Sequence, residues 1–196
     1  MSFTVGAEMK TPYELAKDEV GTKEIVGDRH NPVVLGYFAD AGHPEIVDDE
    51  TAWCAAFMGA MLKRSGLKNT GSLAARSYMK WGSPIALSEA MPGDIVVFQR
   101  GDSAWQGHVG FYVKHDDYDV WVLGGNQANA VNVSKYRVSK LLGVRRASPV
   151  TVAPQSPSPA KKPGSGAVSV GIGGAIVATA AVLVAKWHDF IAWIGG

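Results

Sequence analysis

Three residues of this chain have side chains that could act together in acyl transfer. Cys54 is the only cysteine and begins a predicted helix in DDETAWCAAFMGAML, whereas His108 opens a predicted strand in GHVGFYV. Asn126 follows two glycines in VLGGNQ, where the next predicted strand ends, and Gln127 beside it is the alternative. A thiol nucleophile, an imidazole base and an amide that orients the ring are the groups of a cysteine hydrolase. The order of these motifs therefore predicts that chemistry.

Each of the three residues also has a simpler explanation. A lone cysteine in an apolar helix is usually an inert core residue. A histidine at a strand end often does no more than complete a hydrogen bond, and an asparagine after two glycines is typical of a turn. The order and context of the three motifs together favour the catalytic interpretation.

The cysteine needs a local reason to ionise, because the thiolate is the nucleophile. Thr51, Asp49 or Glu50 can cap the predicted helix and leave Cys54 in its first turn, where free amides and the helix dipole favour negative charge. A nearby imidazolium would add a charge partner, and the Cys54 amide would serve an oxyanion. The acidic residues oppose ionisation unless their carboxylates point elsewhere.

Further polar and aromatic residues give weaker signals. His30, His43 and the acidic residues 48–50 could in principle hold a metal ion, but no HExxH or comparable spacing is present, so no metal and no cofactor is expected. Some aromatic residues are candidates for substrate contact, although core packing explains several equally well. These candidates are Trp53, Tyr78, Trp81 and Trp105.

Helices precede strands along the first part of the chain. Helices are predicted over residues 12–20, 31–41, 53–65 and 73–81, with Thr11 and Asn31 as N-caps of the first two. In the second helix, Val33, Tyr37 and Phe38 are expected on one face. Strands are predicted over residues 95–99, 109–114, 120–123, 131–138 and 142–145, with a hairpin turn at HDDYD. This order predicts an α+β domain with N-terminal helices packed on an antiparallel sheet.

Composition restricts the classes of function. The formal charge is +1, with 19 basic and 18 acidic side chains spread along 196 residues, so no basic surface for nucleic acid is expected. A single cysteine excludes an internal disulfide framework and a zinc site of several thiolates. The N-terminal residues lack the pattern of a secretory signal.

The last quarter of the chain changes character. We expect the catalytic domain to span residues 1–147, followed by a Pro/Ser/Gly-rich linker over 148–166 and a C-terminal hydrophobic helix over 167–194. Residues 167–185 carry no charge and are long enough for a transmembrane helix, although a buried or surface-lying helix is the alternative. Small residues at every fourth position from 167 to 179 favour helix-mediated self-association.

Several stretches resemble one family of cell-wall enzymes. WCAAF, GDIVVF, GHVGFY and GGNQ follow one another as in CHAP-type and related NlpC-type cysteine amidases and peptidases, particularly a phage endolysin-like branch. The resemblance covers residues 11–146. It implies a papain-like fold and hydrolysis of an amide in peptidoglycan, with Cys54 as nucleophile, His108 as base and later acid, and Asn126 orienting the ring.

The leading hypothesis is a phage or prophage endolysin that lyses its host. It would be held at the inner membrane of the bacterial host by its C-terminal helix, with the N-terminal domain initially cytoplasmic, and would act on the cell wall. A bacterial wall-remodelling hydrolase and a secreted effector would use the same chemistry. A non-catalytic, membrane-anchored wall-binding module and a membrane-perforating tail are the alternatives from other classes.

Overall fold

A computed structural model describes residues 9–148 as three α-helices followed by one antiparallel sheet. The helices are α1 (Pro12–Asp18), α2 (Pro32–Ala41) and α3 (Cys54–Arg64). The strands are β1 (Ser83–Ile85), β2 (Ile95–Gln99), β3 (Gly107–His115), β4 (Asp119–Gln127), β5 (Ala130–Arg137) and β6 (Leu141–Arg146). Their order in the sheet is β1-β6-β2-β3-β4-β5. The predicted α+β class with an antiparallel sheet is confirmed.

Two elements differ from the sequence prediction. The fourth helix, predicted over residues 73–81, is a 3-10 helix over Ala75–Lys80. Strand β1 was not predicted, because it has three residues and contains Pro84. It pairs with β6 at the edge of the sheet, where the missing amide of a proline is tolerated.

The caps of the first two helices form as their sequences predict. The Thr11 hydroxyl accepts from the Glu14 amide, and the Glu14 carboxylate accepts from the Thr11 amide, which completes a capping box. The Asn31 side chain accepts from the Val33 amide at 2.9 Å. The buried face of α2 differs from the prediction at Val33, which is 43% exposed. The stripe at helical spacing runs instead through Val34, Tyr37, Phe38 and Ala41.

Helix α3 packs directly against the end of β4 because Gly125 has no side chain. A Cβ atom at Gly125 would lie 2.5 Å from Trp53 Cζ3 and 2.6 Å from Phe57 Cβ, so only glycine permits this approach. Tyr37 closes the same cluster, with its ring centroid 5.2 Å from that of Phe57 and 5.9 Å from that of Trp53. These contacts fix the first turn of α3 over the sheet.

A bulge and a tight turn join β4 to β5. Between Gly124 and Gln127 the strand carries one more residue than its partner, since Gly124 pairs with Asn132 and Gln127 pairs with Ala130. The two turn residues, Ala128 and Asn129, have φ angles of +50° and +63°, as a type I′ turn requires. The extra residue reverses the alternation of side chains at the end of β4.

The predicted linker, apart from its first residue, and the predicted hydrophobic helix lie outside the described residues. Within residues 9–148, no helix is long and apolar enough to cross a bilayer. The domain boundaries, the membrane span and its self-association therefore stay sequence predictions.

Replacing Ala128 by glycine should stabilise the domain. Ala128 is exposed and held at a φ that disfavours a Cβ atom, so Ala128→Gly should raise the free energy of unfolding by about 1 kcal/mol in urea titration. Ala74→Gly is the matched control, because Ala74 is also exposed but has φ −81°. The control should be destabilised by about 0.5–1 kcal/mol. Equal effects of the two substitutions would contradict the turn geometry.

Candidate active site

The fold brings Cys54 to the strand that carries His108. Cys54 is the first residue of α3, which packs against β3 and β4. The amide of Val109, the residue after His108, donates a hydrogen bond to the Cys54 thiol. The Cys54 and His108 side chains are nearly buried, each residue being 7% exposed. The thiol therefore lies beside the main chain of the residue that follows the histidine.

The hydrogen bonds of Gln127 determine which ring nitrogen of His108 carries the proton. Gln127 Nε2 donates to the main-chain oxygens of Asn132 at 2.6 Å and Val122 at 3.1 Å. Because carbonyl oxygens only accept, the amide cannot be reversed, and Gln127 Oε1 must face His108 Nε2 at 3.0 Å. Nε2 is thus the protonated nitrogen. In the neutral ring, the lone pair lies on Nδ1, the nitrogen that a base would use.

The residue that contacts the ring is Gln127, and the assignment of this contact to Asn126 is corrected. In an unbroken strand, alternation would give position 126 the face of β4 that His108 faces. The bulge between Gly124 and Gln127 transfers that face to Gln127. Asn126 is itself half-buried with a φ of +56°. Gln127, the alternative to Asn126 in the sequence prediction, therefore occupies the position next to the imidazole.

Strand β5 supports the histidine and its partner through alternate side chains that the sequence analysis did not identify. Asn132 Nδ2 donates to the Gln127 main-chain oxygen at 2.7 Å, and Ser134 Oγ donates to Asn132 Oδ1 at 2.7 Å. The Tyr136 ring stacks on His108, with centroids 4.7 Å apart and planes 11° apart. The sequence signal that could have identified them is alternation, because every second residue of the predicted strand over 131–138 lies on the same face.

The N-terminus of α3 has no side-chain cap. None of the predicted caps, Thr51, Asp49 and Glu50, bonds its amides, and Trp53 occupies the cap position. The amides of Ala55 and Cys54 instead contact the Cys54 thiol. The first turn of α3 therefore offers main-chain donors to a negative charge on sulfur or on a nearby oxygen.

Asp49 has a structural role in the loop that precedes α2. Its carboxylate is buried and accepts from the amides of Asn31 at 2.8 Å and Ile25 at 2.9 Å, with His30 Nδ1 at 3.1 Å. Burial acts to raise the pKa of Asp49, but these hydrogen bonds outweigh it and hold the pKa below its usual value. Asp49 thus holds the loop before α2 and does not support the thiol.

The resting state of the site is a neutral pair. Burial raises the pKa of the Cys54 thiol, although the amides of Val109 and Ala55 and the charge of Arg100 act to lower it. Burial lowers the pKa of His108 to about 4, partly offset by the Gln127 hydrogen bond and reinforced by Arg100. The expected thiolate with an adjacent imidazolium is therefore disfavoured. Burial therefore favours a protonated thiol and a neutral imidazole at neutral pH.

Burial distinguishes the aromatic residues proposed for substrate contact. Trp53 and Tyr78 are fully buried, with Trp53 Nε1 donating to Glu24 at 2.8 Å and the Tyr78 hydroxyl to the Ala55 oxygen at 3.2 Å. These two side chains stabilise the core and the start of α3, which corrects their assignment as substrate contacts. Trp81 is half-buried, and its Nε1 donates to the Lys68 oxygen. Trp105, 75% exposed in the β2–β3 turn, stays a candidate.

One group of side chains has ligand atoms at metal-binding distance from one another. These atoms, from His30, Asp48 and Asp49, lie within 4.8 Å of one another. Exposed acidic groups commonly adopt such arrangements without an ion, and the expectation of no metal stays a prediction.

A comparison with known protein families matches one segment of the chain. Residues 46–126 match the CHAP domain, a segment that contains Cys54 and His108. No curated protein matches the chain. This segment of the chain is therefore similar to the CHAP domain, as found in CHAP-type cysteine peptidases and amidases. CHAP domains are in general cysteine- and histidine-dependent, and the match indicates activity of the peptidoglycan hydrolase type. Gln127 and strand β5 lie beyond the matched segment.

The buried neutral histidine should make stability depend on pH. An unfolded histidine binds its proton below about pH 6.5, whereas His108 in the folded domain does so only near 4, so stability is lost as pH falls between these values. From pH 7 to pH 5 the loss from this residue should be about 2 kcal/mol. Urea unfolding of wild type and His108→Gln at both pH values measures it. Equal pH dependence in the two proteins would contradict the burial of a neutral ring.

Proposed function

We propose that this chain is a cysteine-dependent peptidoglycan amidase or endopeptidase that cleaves an amide bond of the stem peptide. Two contacts carry the proposal: the Cys54 thiol accepts from the amide of Val109, the residue after His108, and the His108 ring contacts the Gln127 amide. The family match supports peptidoglycan as the substrate. The bond that is cut, to the sugar lactyl group or within the stem, is left open.

The first half of the reaction forms an acyl-enzyme. His108 Nδ1 accepts the proton of the Cys54 thiol while the sulfur attacks the carbonyl carbon of the scissile amide. The amides of Cys54 and Ala55, which no side chain caps, would donate hydrogen bonds to the negative oxygen that develops. His108 then donates its proton to the leaving amine. The C–N bond breaks and a thioester with Cys54 remains.

The second half releases the acyl group. A water molecule gives a proton to His108 Nδ1 and attacks the thioester, and the proton returns to the sulfur as it leaves. Because both groups are neutral at rest, proton transfer accompanies attack in each half. The Gln127 hydrogen bond keeps Nε2 protonated throughout, so Nδ1 is the nitrogen that accepts and donates the transferred proton.

The proposed setting is lysis of a bacterial host by a phage or prophage. The Pro-rich stretch and the apolar residues 167–194 support a tethered enzyme at the inner membrane, whose N-terminal domain is cytoplasmic before lysis and later reaches the wall. Neighbouring lysis genes distinguish this role from wall remodelling or delivery as an effector. Cleavage of the N-terminal domain by protease added to sealed inverted vesicles is expected, and its protection would contradict the orientation.

A non-catalytic wall-binding module is the second candidate. The burial of Cys54 and the raised pKa of its thiol are the observations that favour it. Such a module would bind walls without releasing fragments, so turnover by the purified chain separates the two functions.

Removal of either reacting group should abolish hydrolysis. Cys54→Ala and His108→Ala should each lower the rate of fragment release from purified peptidoglycan by at least about a thousandfold, measured by mass spectrometry of the products. His43→Ala is the control, because His43 bonds to Glu45 and to the Gly71 oxygen away from the site. Clearing of walls by either site variant, free of wild-type enzyme, would exclude the mechanism.

Loss of the Gln127 amide should slow turnover more than loss of the Asn126 amide. Gln127→Leu removes the acceptor at His108 Nε2 and should lower kcat about a hundredfold with little change in KM. Asn126→Gly suits the φ of +56° and should leave kcat within about twofold. The reverse order of effects would restore Asn126 as the orienting residue.

A further inference from the structure

Arg100 lies on the same face of the sheet as His108. The Arg100 amide bonds to the Gln106 oxygen at 3.4 Å, which extends the pairing of β2 and β3 by one residue. Phe98 pairs with His108 across these strands, and paired residues of antiparallel strands share a face. Arg100, two residues after Phe98, falls on that face as well. Its position is therefore set by the strands that carry the base.

The charge of Arg100 has no partner within residues 9–148. Arg100 is exposed, and its guanidinium forms no ion pair or hydrogen bond with another described side chain, whereas nearby charged side chains have polar partners. Asp102 lies 3.6 Å from Lys140, and Arg76 donates to the main-chain oxygens of Ser103 and Gln106. The turn between β2 and β3 is thus held by Arg76, and Arg100 is left available to a ligand.

The field of this charge reaches both reacting groups. The positive charge of Arg100 acts to lower the pKa of the Cys54 thiol and that of His108. It therefore opposes the protonated imidazole that must form during attack. A bound anion would neutralise this effect and strengthen the base only when substrate is present.

Stem peptides of peptidoglycan carry free carboxylates beside their amide bonds, and a guanidinium binds a carboxylate through two parallel hydrogen bonds. We propose that Arg100 binds a substrate carboxylate next to the scissile amide and makes the enzyme prefer acid-bearing stem peptides to amidated ones. This inference rests on the proposed function, since it assigns a ligand to the same site. It also gives substrate binding a direct effect on the proton acceptor.

Synthetic muramyl peptides that differ in one carboxylate test the preference. One peptide carries D-glutamate with a free α-carboxylate, the second carries its carboxamide, and the third has only its terminal carboxylate amidated. Wild type should cleave an acid form about tenfold more efficiently than the matching amide, through KM. The second and third peptides identify which carboxylate is bound. Equal kcat/KM for all three would overturn the proposal.

Variants of Arg100 show whether this side chain causes the preference for acid-bearing peptides. Arg100→Gln should abolish the preference, Arg100→Lys should retain part of it, and Arg137→Gln should keep it. Arg137 is the matched control because it is exposed and lies 3.5 Å from Asp119, on the opposite face of β5 from Tyr136. An Arg100→Gln enzyme that slows equally on acid and amide peptides would assign Arg100 a structural role only.

Two further readouts separate this inference from the proposed function. The acid limb of kcat/KM should move to higher pH in Arg100→Gln and stay in place in Arg100→Lys, because only the former removes the charge near His108. Calorimetric binding of the same peptides to Cys54→Ala, with and without Arg100→Gln, needs no turnover. Selective binding that depends on Arg100 in a chain without activity would refute the hydrolase and retain the anion site. Equal affinities would overturn the anion site alone.

Discussion

The site depends on one hydrogen-bonding constraint, that main-chain carbonyls accept and never donate. The oxygens of Val122 and Asn132 hold the Gln127 amide in a single orientation. That orientation protonates His108 at Nε2 and leaves the lone pair of the neutral ring on Nδ1. The choice between ring tautomers, which determines which nitrogen can act as a base, is thus made by the pairing of β4 with β5 and not by a charged residue.

The same burial that orients the pair also keeps it neutral. Desolvation opposes charge on the thiol and on the imidazole, and the main-chain amides around the sulfur compensate only in part. Stacking of Tyr136 on His108, and of Phe98 on Tyr136, continues this low-polarity environment along the sheet. Reactivity in such a site depends on donors that act when charge develops during attack. Arg100 is the exposed positive charge whose field reaches both groups.

Much of the scaffold followed from local sequence, and the finer geometry of the site did not. The caps at Thr11 and Asn31 and the strand over Ile95–Gln99 were predicted because neighbouring residues specify them. The nucleophile and base were selected from motif order, and the structure places the Cys54 thiol beside the main chain next to His108. Gln127 was ranked below Asn126 because the bulge arises from pairing between strands, which alternation in one strand does not reveal. Asp49 was misassigned because its partners lie 18 to 24 residues earlier in the chain.

The position of β6 affects how the domain can be assembled. This last described strand lies between β1 and β2, inside the sheet and not at its edge. A nascent chain cannot complete its sheet until the ribosome has released residues up to Arg146, long after Cys54 and His108 have been synthesised. Newly made chains should therefore acquire the complete site late in translation. For the same reason, a fusion partner belongs after β6, because a shorter fragment would leave a gap in the middle of the sheet.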